Sequence, residues 1–464
     1  MQVTSDEFKP KAHDALGNTR LQHALGRMQT HFVANRARAF TGLDFEALRE
    51  AGAAIRDRVL ADLPRYLEQF EQAAVAAGAE VHWAETADEA NRIVAAIARR
   101  YAVRKIVKSK SMVTEECELN ESLERAGFEV VETDLGEYIL QLAQEPPSHI
   151  IAPVLHKNKE EIARLFQEKH RRPRREGITE LVAEAREMLR PQFLSADMGI
   201  TGANFLIAET GSVMLVTNEG NGRLCTTLPR VHVAVAGIEK VVPTLADAAT
   251  LVRLLPRSAT GQSISNYMSV LTGVRRTGDL DGPEHMHIVL LDNGRSRLLG
   301  TVMQPMLRCI RCGACMNHCP VYQNVGGHAY GWVYPGPMGA VLTPLYVGLE
   351  RTVDLPNAST FCGACVEVCP VKIPLTDLMR ELRAQQYDRR LRSRAERSAL
   401  ALWAWLARRP RVYAWGAALL ARALRLLGGR ARRLPGAGEW TVGRTLPRAE
   451  GRTFRELYRR RRAA

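Results

Sequence analysis

Seven of the nine cysteines fall between Cys309 and Cys369, and their spacing is that of ligands to iron. The first run reads Cys309-Ile-Arg-Cys312-Gly-Ala-Cys315-Met-Asn-His-Cys319-Pro320. Three thiolates at three-residue steps wrap a tight loop round one face of an iron-sulfur cubane, and a fourth, placed before a proline, reaches across to a second cluster. The second run, Ser359-Thr-Phe-Cys362-Gly-Ala-Cys365-Val-Glu-Val-Cys369-Pro370, keeps this spacing with serine in the first cysteine place. By the crossover rule Cys309, Cys312, Cys315 and Cys369 hold one [4Fe-4S] cluster with a complete ligand set. Cys319, Cys362 and Cys365 hold the other, one thiolate short. Gly313 and Gly363 let backbone N–H groups approach the sulfides and tune the potential.

The missing ligand leaves three outcomes open. The second cluster is a [4Fe-4S] form with Ser359, water or another protein group on its fourth iron, or a [3Fe-4S] form, or it borrows a thiolate from Cys117 or Cys225. The [4Fe-4S] form with an unusual fourth ligand is the expectation. Zinc is the competing reading, because pairs of Cys-x-x-Cys also build tetrahedral zinc knuckles. Four evenly stepped cysteines followed by proline, repeated some fifty residues later, weigh against it.

Outside the cysteines the signals are less specific. Lys108-Ser109-Lys110-Ser111 closes a strand and opens a helix, where free N–H groups, hydroxyls and ammonium groups would stabilise an anion. An ordinary helix cap by Ser109 or Ser111 explains it equally. Gly199 to Asn204, Glu209 to Ser212 and Asn218 to Arg223 place glycines and polar residues at strand ends, where α/β folds hold ligands. Each alone is an unremarkable turn; together they suggest a small-molecule pocket with Lys108, Ser109, Asn204, Glu209 and Asn218 as its candidates. His149 and His156 flank an apolar run from Ile150 to Leu155 and suit an acid or base role, or a purely structural one. No GxGxxG follows a strand and no GxxxxGK[ST] occurs, so neither nucleotide fingerprint is present. No residue is singled out as catalytic.

Four segments must position these groups. Residues 1–77 read as helices, with Phe45, Leu48, Ile55, Val59, Leu63 and Leu67 recurring at three and four spacings. Residues 78–300 read as one α/β domain with a mixed sheet. Its strands are expected near Val81, Lys105, Phe128, Ser148 to Val154, Ala203 to Thr217, Val231 and Met286, and a helix is expected to continue from Ser111 through Leu123. Residues 301–382 form the cysteine domain and 383–464 an arginine-rich helical tail.

The chain is 46% apolar and 25% charged, as a core-forming protein is. Its net charge of +14 is uneven: residues 380–464 hold 23 arginines, no lysine and six acids, so this end carries +17 and the remainder −3. No helix-turn-helix pattern accompanies the basic end, and nucleic acid is not an expected partner. No secretory signal and no spanning run are legible, and thiolate-held clusters favour a reducing compartment. The cytoplasm, or the inner face of its membrane, is therefore the expected location. The aromatic and arginine-rich stretches from Ala399 to Leu427 suit a helix lying on an anionic membrane, one docking on a partner subunit, or one packing on its own domain.

The order of these parts resembles the lactate-utilisation iron-sulfur protein B family, along nearly the whole chain. The most telling stretches are Val107 to Ser111, Gly202 to Ser212, Thr217 to Asn221 and Asn357 to Cys365. The resemblance implies an α/β domain similar in fold to the sugar-phosphate isomerase and CoA-transferase-like (NagB/RpiA) proteins, then a helical two-cluster ferredoxin-like domain. It implies membership, with other subunits, of a three-protein system oxidising L-lactate to pyruvate, in which this chain carries electrons. The family's ligand pattern falls on the same seven cysteines, divided in the same way. Two readings of other classes stand beside it: a subunit that oxidises a hydroxy acid in its own α/β pocket, and a scaffold that senses redox state or iron.

Overall fold

Helices open the chain because capping side chains and apolar spacing agree. In the computed structural model, which describes residues 2–265, 267–427 and 449–463, α1 spans Phe8–Gly17, α2 Thr19–Ala39, α3 Phe45–Ala61 and α4 Leu63–Ala76. Asn18 and Asp44 cap α2 and α3 by accepting from Leu21 N and Ala47 N, which satisfies two first-turn donors. Buried along α3 are Ile55, Val59 and Leu60, together with Arg49 and Arg56.

Ten strands follow among the described residues: β1 Glu80–Ala84, β2 Lys105–Lys108, β3 Glu129–Glu132, β4 Met198–Thr201, β5 Phe205–Ile207, β6 Ser212–Thr217, β7 Val231–Gly237, β8 Val241–Val242, β9 Tyr267–Leu271 and β10 His285–Leu291. Six of them form a sheet in the order β1-β10-β7-β4-β2-β3, with every pair parallel. The other four form a separate sheet, β8-β5-β6-β9, in which β5 pairs antiparallel with β6 and parallel with β8. The single mixed sheet expected from the sequence is therefore corrected to two. The antiparallel hairpin at Gly211 builds its own sheet instead of extending the parallel one.

Crossover helices cover the parallel sheet: α5 Ala87–Arg100, α6 Met112–Glu116, α7 Leu119–Arg125, α8 Leu135–Ala143, α9 Lys159–His170, α10 Ile178–Leu194 and α11 Asn221–Thr227, while α12 Leu245–Ala259 packs on α2, α3 and the second sheet. Alternate strand residues enter different cores. Ile106, Ile200, Val233 and Val289 pack with α5 and α7, Val107 with α8 to α10, and Ala234, Ile288 and Leu290 with α4 and the second sheet. Apolar runs without alternation mark such doubly covered strands. The single helix expected through Leu123 is two, broken where Glu118 adopts a left-handed φ of 52°.

Ser148 to Val154 is not a strand, which corrects a further expectation. Pro146, Pro147 and Pro153 remove ladder donors, Ser148 N bonds back to Pro153 O at 2.9 Å, and His149 Nδ1 accepts from Ile151 N and Ala152 N. The segment closes on itself as a loop.

The cysteine region holds short helices: α13 Ala314–Asn317, α14 Tyr322–Val325, α15 Gly336–Val347, α16 Ala364–Glu367 and α17 Leu375–Asp388. Residues through Gln386 make one compact unit and those from Tyr387 a second. The second contains α18 Arg394–Ala407, α19 Pro410–Leu427 and a final helix, Phe454–Ala463. The stretch 428–448 of the expected helical tail lies outside the described residues.

Candidate functional site

The two cysteine runs fold into loops with one backbone. Arg311 and Phe361, each two residues after the first position of its run, have φ of 59° and 55°. Gly313 and Gly363 follow at 75° and 85°, and each loop then enters one helical turn, α13 or α16. Left-handed backbone at Arg311 and Phe361 is disfavoured for side chains of this size and persists where the surroundings require it. The result turns Cys309, Cys312 and Cys315 of the first run, and Cys362 and Cys365 of the second, inward.

Cys309, Cys312, Cys315 and Cys369 line one small cavity, closed by Met338, Val371, Ile373 and Leu375. Backbone N–H groups serve the sulfurs: Ile373 N donates to Cys369 Sγ at 3.3 Å, Ala314 N to Cys312 and Ala364 N to Cys362. Cys319 accepts from Tyr322 N and Val321 N. Among the described residues no three of these sulfurs lie within 4.8 Å of one another. Zinc, with bonds near 2.3 Å, would draw its sulfurs to roughly 3.8 Å apart. The wider cages fit iron-sulfur cubanes.

Cys319, Cys362 and Cys365 form the second group, in which burial and then the neighbouring Cys319 and Cys362 push the Cys365 thiol up to about 12. A thiolate at Cys365 at neutral pH therefore requires a bound metal. The groups adjoin, since Cys315 feels the charge of Cys365. They differ in exposure: Cys312 and Cys369 are buried, whereas Cys362 is exposed. Ser359 occupies the backbone place that Cys309 holds in the first loop, and its Oγ accepts from Phe361 N at 3.1 Å. Cys117 is packed in the core among Ala90, Val94 and Val130, and Cys225 Sγ lies 3.5 Å from Thr133 Oγ1. Both are held in the α/β cores, so a thiolate borrowed from either is ruled out.

Cations surround the first cage. Arg36 feels the charge of Cys312 and Cys369, and Arg56, Lys240 and Arg311 feel that of Cys309. Arg49 is tied by its NH1 and NH2 to Glu367 O and Val366 O at 2.8 and 2.7 Å. Buried positive charge beside a negatively charged cluster favours its reduced form.

Against this cage lies a cleft of about 410 Å³. It sits at the carboxyl ends of parallel strands, where such sheets hold ligands. Ser109 follows β2, Asn204 follows β4, Asn218 and Glu219 follow β6, and Lys240 and Arg311 close the side toward the cysteines. Arg311 lines both the cleft and the first cage. Burial, then Arg311, lowers Lys240 to about 8; burial, then Asp134, raises Glu219 to about 7.

Of the five pocket candidates read from the sequence, Ser109, Asn204 and Asn218 meet at this cleft, and Lys108 and Glu209 do not. Lys108 is fully buried, its Nζ 3.0 Å from Glu115 and 2.5 Å from Glu132. Glu209 accepts from Leu245 N at 2.6 Å and so caps α12. Lys110 pairs with Glu137 at 3.2 Å, and the convergence of two ammonium groups on an anion does not occur. His149 donates through Nε2 to Asn317 Oδ1 at 3.1 Å, and burial lowers it to about 4. His156 joins Ser148 Oγ and Glu145, both at 2.9 Å. Neither lines the cleft, and the expected flanking strand is the loop described above. Lys240 and Arg311 were missed. Arg311 was visible inside a cysteine run; nothing in the sequence ties Lys240 to it.

Comparison with known proteins agrees with this layout. Family profiles described as a LUD domain, a 4Fe-4S dicluster domain and Lactate utilisation protein B, C-terminal, match residues 67–291, 305–373 and 382–463. Lactate utilization protein B of Anoxybacillus flavithermus is 44% identical over 467 residues, covering 99% of both chains. The chain belongs to the lactate utilisation protein B family. The family's counterpart in Lysinibacillus sphaericus is 50% identical over 381 residues, 82% of this chain and 80% of that one. An Escherichia coli relative, called an uncharacterized electron transport protein, YkgF, is 42% identical across 100% of this chain and 98% of its own. A crystal structure of a DUF162 family protein from Deinococcus radiodurans covers 50% of this chain and 98% of its own at 17% identity, with a TM-score of 0.26, too low to bear on the fold. In this member of the family, the dicluster segment contains all seven cysteines, Ser359 and Arg311, while Lys240 belongs to the LUD segment. The cleft is thus built across the two.

Proposed function

We propose that this chain is the iron-sulfur electron-transfer subunit of a multi-protein system that oxidises L-lactate to pyruvate. One observation supports this most directly: two adjoining cysteine cages, one buried among cations and one reaching the surface at Cys362. Clusters bound there each supply one-electron transfer, which matches the electron pair released per lactate. The chain's own residues do the rest. Cys309, Cys312, Cys315 and Cys369 hold the first cluster as [4Fe-4S], and Arg36, Arg56 and Arg311 offset its charge. Cys319, Cys362 and Cys365 hold a second [4Fe-4S] cluster, with Ser359 Oγ on its fourth iron. The repeated backbone of the two loops supports that oxygen ligand.

The reading extends to location. No described helix is long and apolar enough to cross a membrane. Trp403 and Trp415, exposed among arginines on α18 and α19, suit peripheral contact with the anionic inner face of the cytoplasmic membrane.

The test is to incubate anaerobically purified chain with L-lactate and an artificial acceptor, alone and with its partner proteins. Cluster bleaching is expected only when the partners are present. Turnover by the lone chain would overturn the carrier role in favour of oxidation within the α/β cleft.

A further inference from the structure

We infer that the cleft beside the first cysteine cage is a binding site for a small molecule bearing a compact anionic group, carboxylate or phosphate, received by Lys240, Arg311 and Ser109. Lys240 carries the argument. It is 7% exposed and lines the cleft, and among the described residues no hydrogen bond or ion pair reaches its ammonium. Its charge lies near those of Glu239 and Cys309 without bonding to either, and a buried ammonium with no direct partner is costly; such groups persist where a ligand or a function supplies the partner. The adjacent acid does not serve. Glu239 accepts from Arg295 Nε through Oε2 at 2.7 Å and from Arg311 through Oε1 at 3.5 Å.

The rest of the donor set points the same way. Ser109 is 4% exposed at the carboxyl end of β2, and no hydrogen bond engages its hydroxyl among the described residues. Arg311 is held by Glu239 and by the Tyr334 ring, 4.8 Å from its guanidinium carbon, so its geometry is set before any ligand arrives. The acids of the cleft are engaged elsewhere. Asp134 caps α8 through Gly136 N and Glu137 N, and Glu219 accepts from Leu135 N. Lys110, which also lines the cleft, is paired with Glu137 at 3.2 Å, so Lys240 and Arg311 are the cations left to receive an anion.

Arg311 is a wall of both cavities, so occupancy and cage charge must be linked. An anion held there binds more tightly when the neighbouring cluster holds one electron fewer, and by reciprocity it lowers that cluster's reduction potential. No bond is made or broken in this step. The linkage rests on the reading that the four cysteines hold a redox cluster; the anion site itself does not.

Anaerobic holoprotein titrated calorimetrically with L-lactate, pyruvate and inorganic phosphate tests the site. Iron content and dithionite bleaching on the same sample report separately whether the cluster reading holds. Saturable binding of the carboxylates or of phosphate, weakened roughly tenfold or more in Lys240→Met and restored in Lys240→Arg, is expected. Which arm binds identifies the anion's source. A tenfold preference for the oxidised protein would appear as a fall of about 59 mV in the first cluster's midpoint. Absence of binding at millimolar ligand, or affinity unchanged in Lys240→Met, overturns the site. If Lys240→Met loses its clusters, Ser109→Ala decides: weakened binding supports the site, and unchanged binding overturns it.

Discussion

Arg311 reaches Glu239 at 3.5 Å, so a residue between two cysteine ligands is anchored on a carboxylate at the end of a core strand. The anchor is itself fixed. Arg295 bonds Glu239 through Nε and Glu116 through both terminal nitrogens, at 2.9 and 2.8 Å, and Tyr334 OH donates to Glu116 at 2.6 Å. Arg56 adds bonds to the backbone of Glu239, Val241 and Leu307. The cage and the α/β core are parts of one polar network.

Glu239→Gln would leave Arg295 and Arg311 buried with one partner fewer, at a cost of about 3–5 kcal/mol. Against the cost of burial, Arg295 and then Arg311 hold the Glu239 carboxyl down at about 2. A depressed carboxyl stabilises the fold above its unfolded value, near the ordinary 4.5, and that contribution is lost as pH falls toward about 2. Urea denaturation from pH 7 down to 3.5 should show the gap between wild type and variant largest near neutrality and narrowing below about 4.5.

The crossover of ligands makes a separate prediction. Cys309→Ser and Cys369→Ser, sixty residues apart in the chain, should abolish the same paramagnetic signal and leave about half the iron. Cys319→Ser should abolish the other signal, in common with Cys362→Ser and Cys365→Ser. If Cys369→Ser and Cys362→Ser affect one signal together, the pairing is wrong.

Ser359 is tested by substitution in both directions. Ser359→Ala should convert the second cluster to a three-iron form with an oxidised paramagnetic signal, and Ser359→Cys should make it more resistant to oxidants. An unchanged spectrum in Ser359→Ala would give the fourth iron to water or another group.

Lys108 separates structure from binding. Its buried ion pairs with Glu132 and Glu115 predict that Lys108→Met costs about 3–5 kcal/mol of stability, measured by urea unfolding. Anion affinity at the cleft should stay within about twofold, because the ammonium does not face it.

The tail should pellet with anionic vesicles and not with neutral ones. Binding should fall steeply as salt rises from about 0.05 to 0.5 M, accompanied by a change in tryptophan fluorescence from the exposed Trp403, Trp405 and Trp415. Pelleting with neutral vesicles alone would remove the electrostatic account.

The sequence by itself determined what depends on neighbours in the chain. Cysteine spacing, Gly313 and Gly363 dictate cluster loops within a dozen residues, and caps such as Asn18 and Asp44 start helices locally. Tertiary structure decided what depends on distant partners. Whether hairpin strands join the parallel sheet or form their own, whether 148–154 pairs or closes on His149, and whether Lys108 faces a ligand or Glu132 are settled by long-range pairing that no local pattern encodes. The meeting of Lys240 with Arg311 and Ser109 is of this kind: the parallel sheet brings the ends of β2 and β7 to one side, and the first cysteine loop, anchored through Arg311 on Glu239, packs against them.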